Sequence, residues 1–194
     1  MTRPKSFDVD DVLDRAVDLF WVNGYAATSM EDLVNHLGIN RGSLYSTFGS
    51  KQELYELAIE RYASVGRDWM TAMLSDPAIP LRDTIKTILT SSAETTDHRG
   101  CLLVNTATER NATDERSLDL TSKALDERRA ILAAAFESRR NELANGVTPD
   151  RAADLVLVAA QGLRVVATTE SEIGADSTIQ TVLDTVTPEP WFGR

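Results

Sequence analysis

Hydrophobic residues recur three and four positions apart along almost the whole chain, which is the spacing of one face of an α-helix. The stripe Val9, Leu13, Ala16 and Phe20 predicts a first helix over residues 8–22, ending before Gly24. Similar stripes predict helices over about 51–74, 81–95, 101–110, 114–144, 149–172 and 176–187. No useful stretch alternates with the two-residue period of a β-strand. The pattern therefore predicts an all-α protein.

Residues 24–54 carry a dense set of signals for the starts and ends of helices. A serine or threonine followed three residues later by glutamate forms a capping box, and this pattern occurs at Thr28–Glu31 and at Ser50–Glu53. Between the two boxes, Gly38 can close a helix in the left-handed conformation and Asn40 can cap a short helix. A helix, a tight glycine turn and a short helix make up a helix-turn-helix, whose second helix enters the major groove of DNA.

The charges of this segment support the same interpretation. Acidic residues outnumber basic residues 30 to 20 in the whole chain, yet none lies between Asp32 and Glu53. In an acidic protein, a surface cleared of carboxylates is suited to contact an anion such as the DNA backbone. Burial of the apolar stripe on the same helices is expected to leave four side chains pointing outward together: Arg41, Ser43, Tyr45 and Thr47.

These residues resemble the DNA-binding signature of the TetR family of transcriptional regulators. The resemblance covers residues 7–60 and is carried by Gly24-Tyr25, Thr28-Ser29-Met30, Leu37-Gly38-Ile39, Gly42-Ser43-Leu44-Tyr45 and Phe48-Gly49-Ser50-Lys51. A looser similarity to the ligand-binding half of one TetR subgroup covers residues 99–105 and 159–166. We therefore expect a helix-turn-helix domain over residues 1–52, a connector helix from about residue 51, and a ligand-binding and dimerisation domain over residues 53–194.

Nine residues of the helix-turn-helix segment are candidates for contact with DNA. The resemblance implies that Tyr45 touches the DNA backbone, and Arg41 at the start of the short helix can pair with guanine in the major groove. Lys51 lies in the first turn of a helix, where a cation is favoured only if a phosphate binds at the same helix end. The alternatives are a solvated Arg41 and a Tyr45 that packs at the rim. The full set is Thr28, Ser29, Asn40, Arg41, Gly42, Ser43, Tyr45, Thr47 and Lys51.

The predicted helix over residues 149–172 is apolar over most of its circumference, so it must be covered on most sides. This pattern predicts either a four-helix interface between two subunits or complete burial within one subunit, and the resemblance favours the dimer. The interface residues predicted on this helix and on the last helix are Val158, Ala159, Gly162, Val166, Ile179, Val182, Leu183 and Val186.

A polar stripe on the same helix includes Gln161 and Arg164. Because buried polar groups need partners, this stripe is expected either to line an effector pocket or to cross the dimer contact. The residues predicted to line a pocket are Trp69, Met73, Cys101, Asn105, Phe136, Gln161 and Arg164, and plain core packing is the alternative for these residues.

Composition limits the other functions that this chain can have. The single cysteine excludes a disulfide framework within the chain, and no apolar run after the first basic residues marks a signal peptide. The longest near-apolar run, residues 155–160, is too short to span a bilayer, so a cytoplasmic protein is expected. The sequence has two histidines and shows neither a cluster of metal ligands nor a glycine-rich phosphate loop. This composition argues against a bound metal, a cofactor and an enzymatic function.

The sequence therefore predicts a homodimeric transcriptional regulator that binds a palindromic operator in double-stranded DNA. We expect a repressor that a small-molecule effector releases from the operator. Two alternatives use Cys101: a regulator that senses oxidants or electrophiles through this thiol, and an enzyme that pairs Cys101 with His98. A further alternative is a ligand-binding protein that has lost DNA binding.

Overall fold

The computed structural model of the chain describes residues 7–94, 99–110, 114–169 and 174–188. Within these residues the regular elements are α-helices and one 3-10 turn, and no strand is present, which confirms the predicted all-α fold. The helices are α1 (Val9–Ala27), α2 (Met30–Leu37), α3 (Arg41–Phe48), α4 (Lys51–Leu74), α5 (Leu81–Ala93), α6 (Leu102–Arg110), α7 (Glu115–Ser138), α8 (Pro149–Val166) and α9 (Ala175–Val186).

Helices α7 and α8 each end six residues earlier than their apolar stripes predict. After α7 the chain makes a 3-10 turn at Arg140–Glu142, and Ala144 N then donates to the carbonyl of Val186 (2.8 Å). After α8 the hydroxyls of Thr168 and Thr169 donate to carbonyls of the preceding turn. Because threonine hydroxyls that bond to nearby backbone compete with regular helix geometry, the second ending has a local cause.

The helices assemble into two compact units. The first unit comprises residues 7–65, 102–110 and 114–124, and the second comprises residues 66–94, 99–101, 125–169 and 174–188. Helices α4 and α7 each begin in the first unit and end in the second. The boundary near residue 52 between a DNA-binding domain and a ligand-binding domain remains a prediction, because it is defined by contacts with DNA and with a ligand.

The second unit has its core between α5, α8 and α9. Four of the predicted subunit contacts belong to this core, because Ile179, Val182, Leu183 and Val186 of α9 are 0–6% exposed within their own chain. The prediction that these four side chains meet a second subunit is therefore wrong. The apolar stripe of α9 faces the core of its own chain.

One face of α8 remains uncovered in the described chain. Val158 is 69% exposed, Val165 is 47% exposed and Leu155 is 36% exposed. Gly162 lies on the same face, where an added Cβ would meet no atom within 4 Å. Ala159 and Val166 at the edge of this face are half-buried. We call the face formed by Leu155, Val158, Gly162 and Val165 the outer face of α8.

The residues predicted to line a pocket differ widely in burial. Phe136 is fully buried and belongs to the core of the second unit, so plain core packing accounts for it. Cys101 is 1% exposed and lies just before α6 rather than in its first turn. Trp69 is 38% exposed, and Met73, Asn105, Gln161 and Arg164 are half-buried. A ligand-lining role for these residues stays a prediction.

No helix among the described residues is both long enough and apolar enough to cross a membrane.

Candidate nucleic-acid interface

The first helix of the helix-turn-helix, α2, begins at Met30 and is capped by Ser29. The Ser29 hydroxyl accepts a hydrogen bond from Asp32 N (3.1 Å), and the Asp32 carboxylate accepts one from Ser29 N (2.8 Å). The capping box thus forms one residue later than predicted, because Thr28 is fully buried and its hydroxyl donates to the Gly24 carbonyl (2.6 Å). The prediction that Thr28 offers its hydroxyl to DNA is therefore wrong, and the N–H of Ser29 is already bonded.

The turn and the second helix form as predicted. Gly38 ends α2 in the left-handed conformation (φ 66°), which glycine adopts at little cost. Asn40 caps α3, since its side-chain oxygen accepts from Ser43 N (2.8 Å). The apolar positions of the two helices are buried as expected: Leu33, Leu37, Leu44 and Phe48.

The polar side chains of α3 separate into two groups. Arg41, Gly42 and Tyr45 are exposed, and Tyr45 is 45% exposed. Ser43 and Thr47 are half-buried. The expectation that all four side chains point outward together is wrong, because residues two apart on a helix point about 200° apart. We call the side formed by Arg41, Gly42 and Tyr45 the outer face of α3.

The half-buried side of α3 borders an acidic groove within the first unit. The groove is lined by Thr47, Phe48, Gly49, Glu53, Glu56, Leu57, Glu60 and Arg116. Glu56 pairs with Arg116 (3.1 Å), but the other two glutamates add negative charge that disfavours a phosphate. Contact with DNA from α3 is therefore better supported by its outer face than by Thr47.

Lys51 begins α4 as predicted, and the reciprocal box of Ser50 and Glu53 caps that helix. The Lys51 ammonium lies 4.2 Å from the centroid of the Tyr25 ring, which is a cation–π distance. Burial lowers the pKa of Lys51, and the neighbouring positive charge of Arg110 lowers it further. A phosphate at the start of α4 would therefore meet a partly desolvated cation.

The three helix starts of this region differ in charge. The first turns of α2 and α4 contain carboxylates, whereas the first turn of α3 contains none. The hydrogen bond from the Ser29 hydroxyl lowers the pKa of Asp32, so the carboxylate at the start of α2 is ionised at neutral pH. Because a helix N-terminus carries partial positive charge, the start of α3 is the one most open to an anion.

Contacts from α6 reach the same region and are not predicted from the sequence. Glu109 accepts hydrogen bonds from the backbone amides of Tyr25 (3.0 Å) and Ala26 (2.6 Å). The Arg110 guanidinium lies 3.9 Å from the Tyr25 ring centroid and donates to Gln52 (3.0 Å). These contacts join residues 58 to 85 positions apart, so no local pattern in the sequence could reveal them.

In the described part of the chain, no group of three or more histidine, cysteine, aspartate or glutamate side chains is arranged to hold a metal ion.

The sequence of this region matches known regulators. A family model described as bacterial regulatory proteins of the tetR family matches residues 12–58. The chain is 32% identical over 133 residues to YezE of Bacillus subtilis, an uncharacterized HTH-type transcriptional regulator, covering 66% of this chain and 69% of that protein. It is 47% identical over 60 residues to the HTH-type transcriptional repressor ComR of Escherichia coli, covering 31% of this chain and 29% of that protein.

A solved structure of similar fold contains DNA. It is a triple cysteine mutant of the TetR family transcriptional regulator CifR in complex with 26-base-pair double-strand operator DNA. The TM-score is 0.77 with 26% identity, covering 95% of this chain and 97% of that chain.

The cap of α3 provides a test of this geometry. Replacing Asn40 by alanine leaves the Ser43 amide without its partner, which typically costs about 1 kcal/mol of stability. Thermal unfolding followed by circular dichroism should show a lower midpoint for Asn40→Ala. Asn35→Ala, at an exposed position of α2, is the matched control and should unfold close to the wild type. Equal midpoints for the two variants would contradict the assigned cap.

Proposed function

Because the chain belongs to the TetR family of bacterial regulatory proteins, we propose that this helix-turn-helix transcriptional regulator is a homodimeric repressor released from its operator by a small-molecule effector. The observation that carries the proposal is the outer face of α3. This face is exposed and free of carboxylates in a chain of formal charge −10.

The outer face of α3 has the chemistry for both kinds of DNA contact. Arg41 is the first residue of the helix, so its guanidinium can reach base edges and pair with the two acceptors of guanine. Tyr45 lies one turn later and offers a hydroxyl to a phosphate. Asn40, Gly42 and Ser43 surround the start of α3 and remain candidates for contact, whereas Thr47 faces the acidic groove.

The outer face of α8 supports association with a second copy of the chain. An apolar helix face that its own chain leaves uncovered is unfavourable in water. Its small residues, Gly162 and Ala159, would let another helix approach closely. A symmetric dimer would present two copies of α3 to two half-sites, and a palindromic operator would mirror that symmetry.

A polar stripe on α8 supports an effector with hydrogen-bond donors. The side-chain oxygen of Gln161 is buried and accepts no hydrogen bond from the described residues. Buried acceptors are normally paired, so a donor group of a small molecule would suit this position. An effector bound there would act by favouring a subunit arrangement whose two α3 helices no longer match successive major grooves.

The alternatives that depend on Cys101 receive less support. The thiol is 1% exposed, so an oxidant or electrophile has little access to it. His98, the proposed partner in an enzyme, lies outside the described residues, and the relatives named above are transcriptional regulators. Alkylation of the native protein tests the sensor: a Cys101 that remains unmodified at neutral pH excludes it.

Selection of binding sites from random DNA, followed by mobility shift, tests the DNA-binding function. Arg41→Ala should relax the preference at one base position, because a lost base contact costs about 1–3 kcal/mol at that position only. Tyr45→Phe and Lys51→Ala should weaken binding to all sequences alike, because phosphate contacts carry no sequence information. Glu60→Ala in the acidic groove is the control and should not weaken binding. Failure of the wild-type chain to enrich any sequence would refute the function.

The salt dependence of operator binding should be modest for a regulator of this family. Each subunit contributes Arg41 on α3 and Lys51 at the start of α4, which predicts a log–log salt slope of about −4 for a dimer. Arg3 and Lys5, outside the described residues, would extend it to about −7 if both contacted phosphates. Fluorescence anisotropy against salt concentration measures the slope. A value steeper than about −8 would require more cations than these, and would contradict the proposed contacts.

The dimer is tested at the outer face of α8. Val158→Lys places a charge at the most exposed apolar position of that face and should convert the dimer to monomer, with loss of operator binding. Ser91→Lys adds the same charge at an exposed position of α5 and should leave the dimer intact. Analytical ultracentrifugation at micromolar concentration gives the masses. A monomeric wild type, or a dimeric Val158→Lys, would rule out this interface.

A further inference from the structure

The structure places a carboxylate from α6 against the backbone of the turn that leads into the helix-turn-helix. We infer that Glu109 is a positioning residue for DNA binding, which holds this turn so that α2 and Lys51 keep their places beside α3. The inference rests on the proposed function and concerns a residue that does not belong to the outer face of α3. All of its contacts lie within the first unit.

The contact joins one side chain to two consecutive amides. Glu109 Oε2 accepts from Tyr25 N (3.0 Å) and Oε1 accepts from Ala26 N (2.6 Å). Gly24 makes this approach possible, because an added Cβ there would lie 2.9 Å from Glu109 Oε2. Gly24 also has φ 75° and ψ 175°, a conformation that is essentially limited to glycine.

The two amides need an acceptor because the helix geometry breaks at Gly24. Tyr25 and Ala26 begin a new helical turn, and the first amides of a helical turn have no partner within it. Serine, threonine, asparagine or aspartate of the same segment usually supplies the cap. Here a glutamate from another helix does so, and as a charged acceptor it makes stronger bonds than a neutral cap.

The capped turn is bonded directly to the start of α2. Thr28 N donates to the Tyr25 carbonyl (3.3 Å), and the Thr28 hydroxyl donates to the Gly24 carbonyl (2.6 Å). The next residue, Ser29, caps α2. A displacement of the turn would therefore move the first residues of α2.

The same turn also positions Lys51 through the ring of Tyr25. Arg110, adjacent to Glu109 on α6, lies 3.9 Å from the ring centroid, and the Lys51 ammonium lies 4.2 Å from it. The Tyr25 ring packs at a tilt of 59° against the ring of Tyr55, with their centroids 5.0 Å apart. Tyr55 in turn bonds to Thr106 of α6 (2.9 Å). Three residues of α6 thus hold two elements of the DNA-binding segment.

The loss of the Glu109 charge and the loss of its cap are expected to change the affinity for DNA in opposite directions. Removal of a negative charge from an acidic protein should strengthen binding to DNA if charge alone matters. Loss of the cap should weaken operator binding, because the start of α2 and Lys51 are no longer held. The sign of the change therefore separates the two effects.

The experiment compares three variants of the full chain with the wild type. Glu109→Ala should bind operator on the order of tenfold more weakly, which corresponds to the loss of one to two charge-assisted hydrogen bonds. Glu109→Asp keeps the charge but shortens the side chain, so it should also bind more weakly. Glu115→Ala removes an exposed carboxylate of the same unit at the start of α7 and should bind as tightly as the wild type or more tightly.

Amide hydrogen exchange distinguishes the loss of the Glu109 cap from a general loss of stability. The amides of Tyr25 and Ala26 should exchange faster in Glu109→Ala, while the core amides of α8 keep wild-type protection. Wild-type exchange at both amides, or operator binding by Glu109→Ala as tight as that of Glu115→Ala, would overturn the inference. If the wild type itself bound no operator, the proposed function would fail instead.

Discussion

The DNA-binding segment depends on how the first amides of four closely spaced helical turns are satisfied. Carboxylates bond to backbone at three of these starts: Glu109 at the Tyr25 turn, Asp32 at α2 and Glu53 at α4. The fourth start, at α3, is capped by the neutral side chain of Asn40. Because a carboxylate cancels the partial positive charge of a helix end and an amide does not, the charge of α3 remains available to a nucleic acid.

This distribution explains how an acidic chain can approach a polyanion. The formal charge of −10 is spread over the molecule, but the outer face of α3 carries Arg41 and Tyr45 and no carboxylate. The side of α3 that carries Thr47 borders an acidic groove, which includes Glu53 and Glu60. The two sides of α3 therefore differ in the sign of the charge that they present or border. An approach from the wrong side would bring carboxylates against phosphates, so the groove favours one orientation on DNA.

Local patterns predicted most of the helices and the caps at Asn40 and Ser50, because these features depend on residues a few positions apart. The box assigned to Thr28 formed at Ser29 instead, because the Thr28 hydroxyl donates to the Gly24 carbonyl. Three residues after Ser29 lies Asp32, whose carboxylate takes the place of the expected glutamate. Glu109 could not be predicted at all, because it is an ordinary exposed glutamate until tertiary structure brings it to the Tyr25 turn. Non-local contacts of this kind leave no periodic signal.

The predicted subunit contact shows what a hydrophobic pattern alone cannot predict. An apolar stripe indicates that a helix face is buried, but it does not indicate whether the same chain or a second chain covers that face. On α9 the stripe enters the chain's own core, and hydroxyls at the exposed positions Thr181 and Thr185 bond back to α9 carbonyls. Of these two helices, α8 is the one that exposes large apolar side chains among the described residues, at Val158 and its neighbours. An interface of two α8–α9 pairs would therefore have its apolar centre on α8 and threonine methyl groups at its edge.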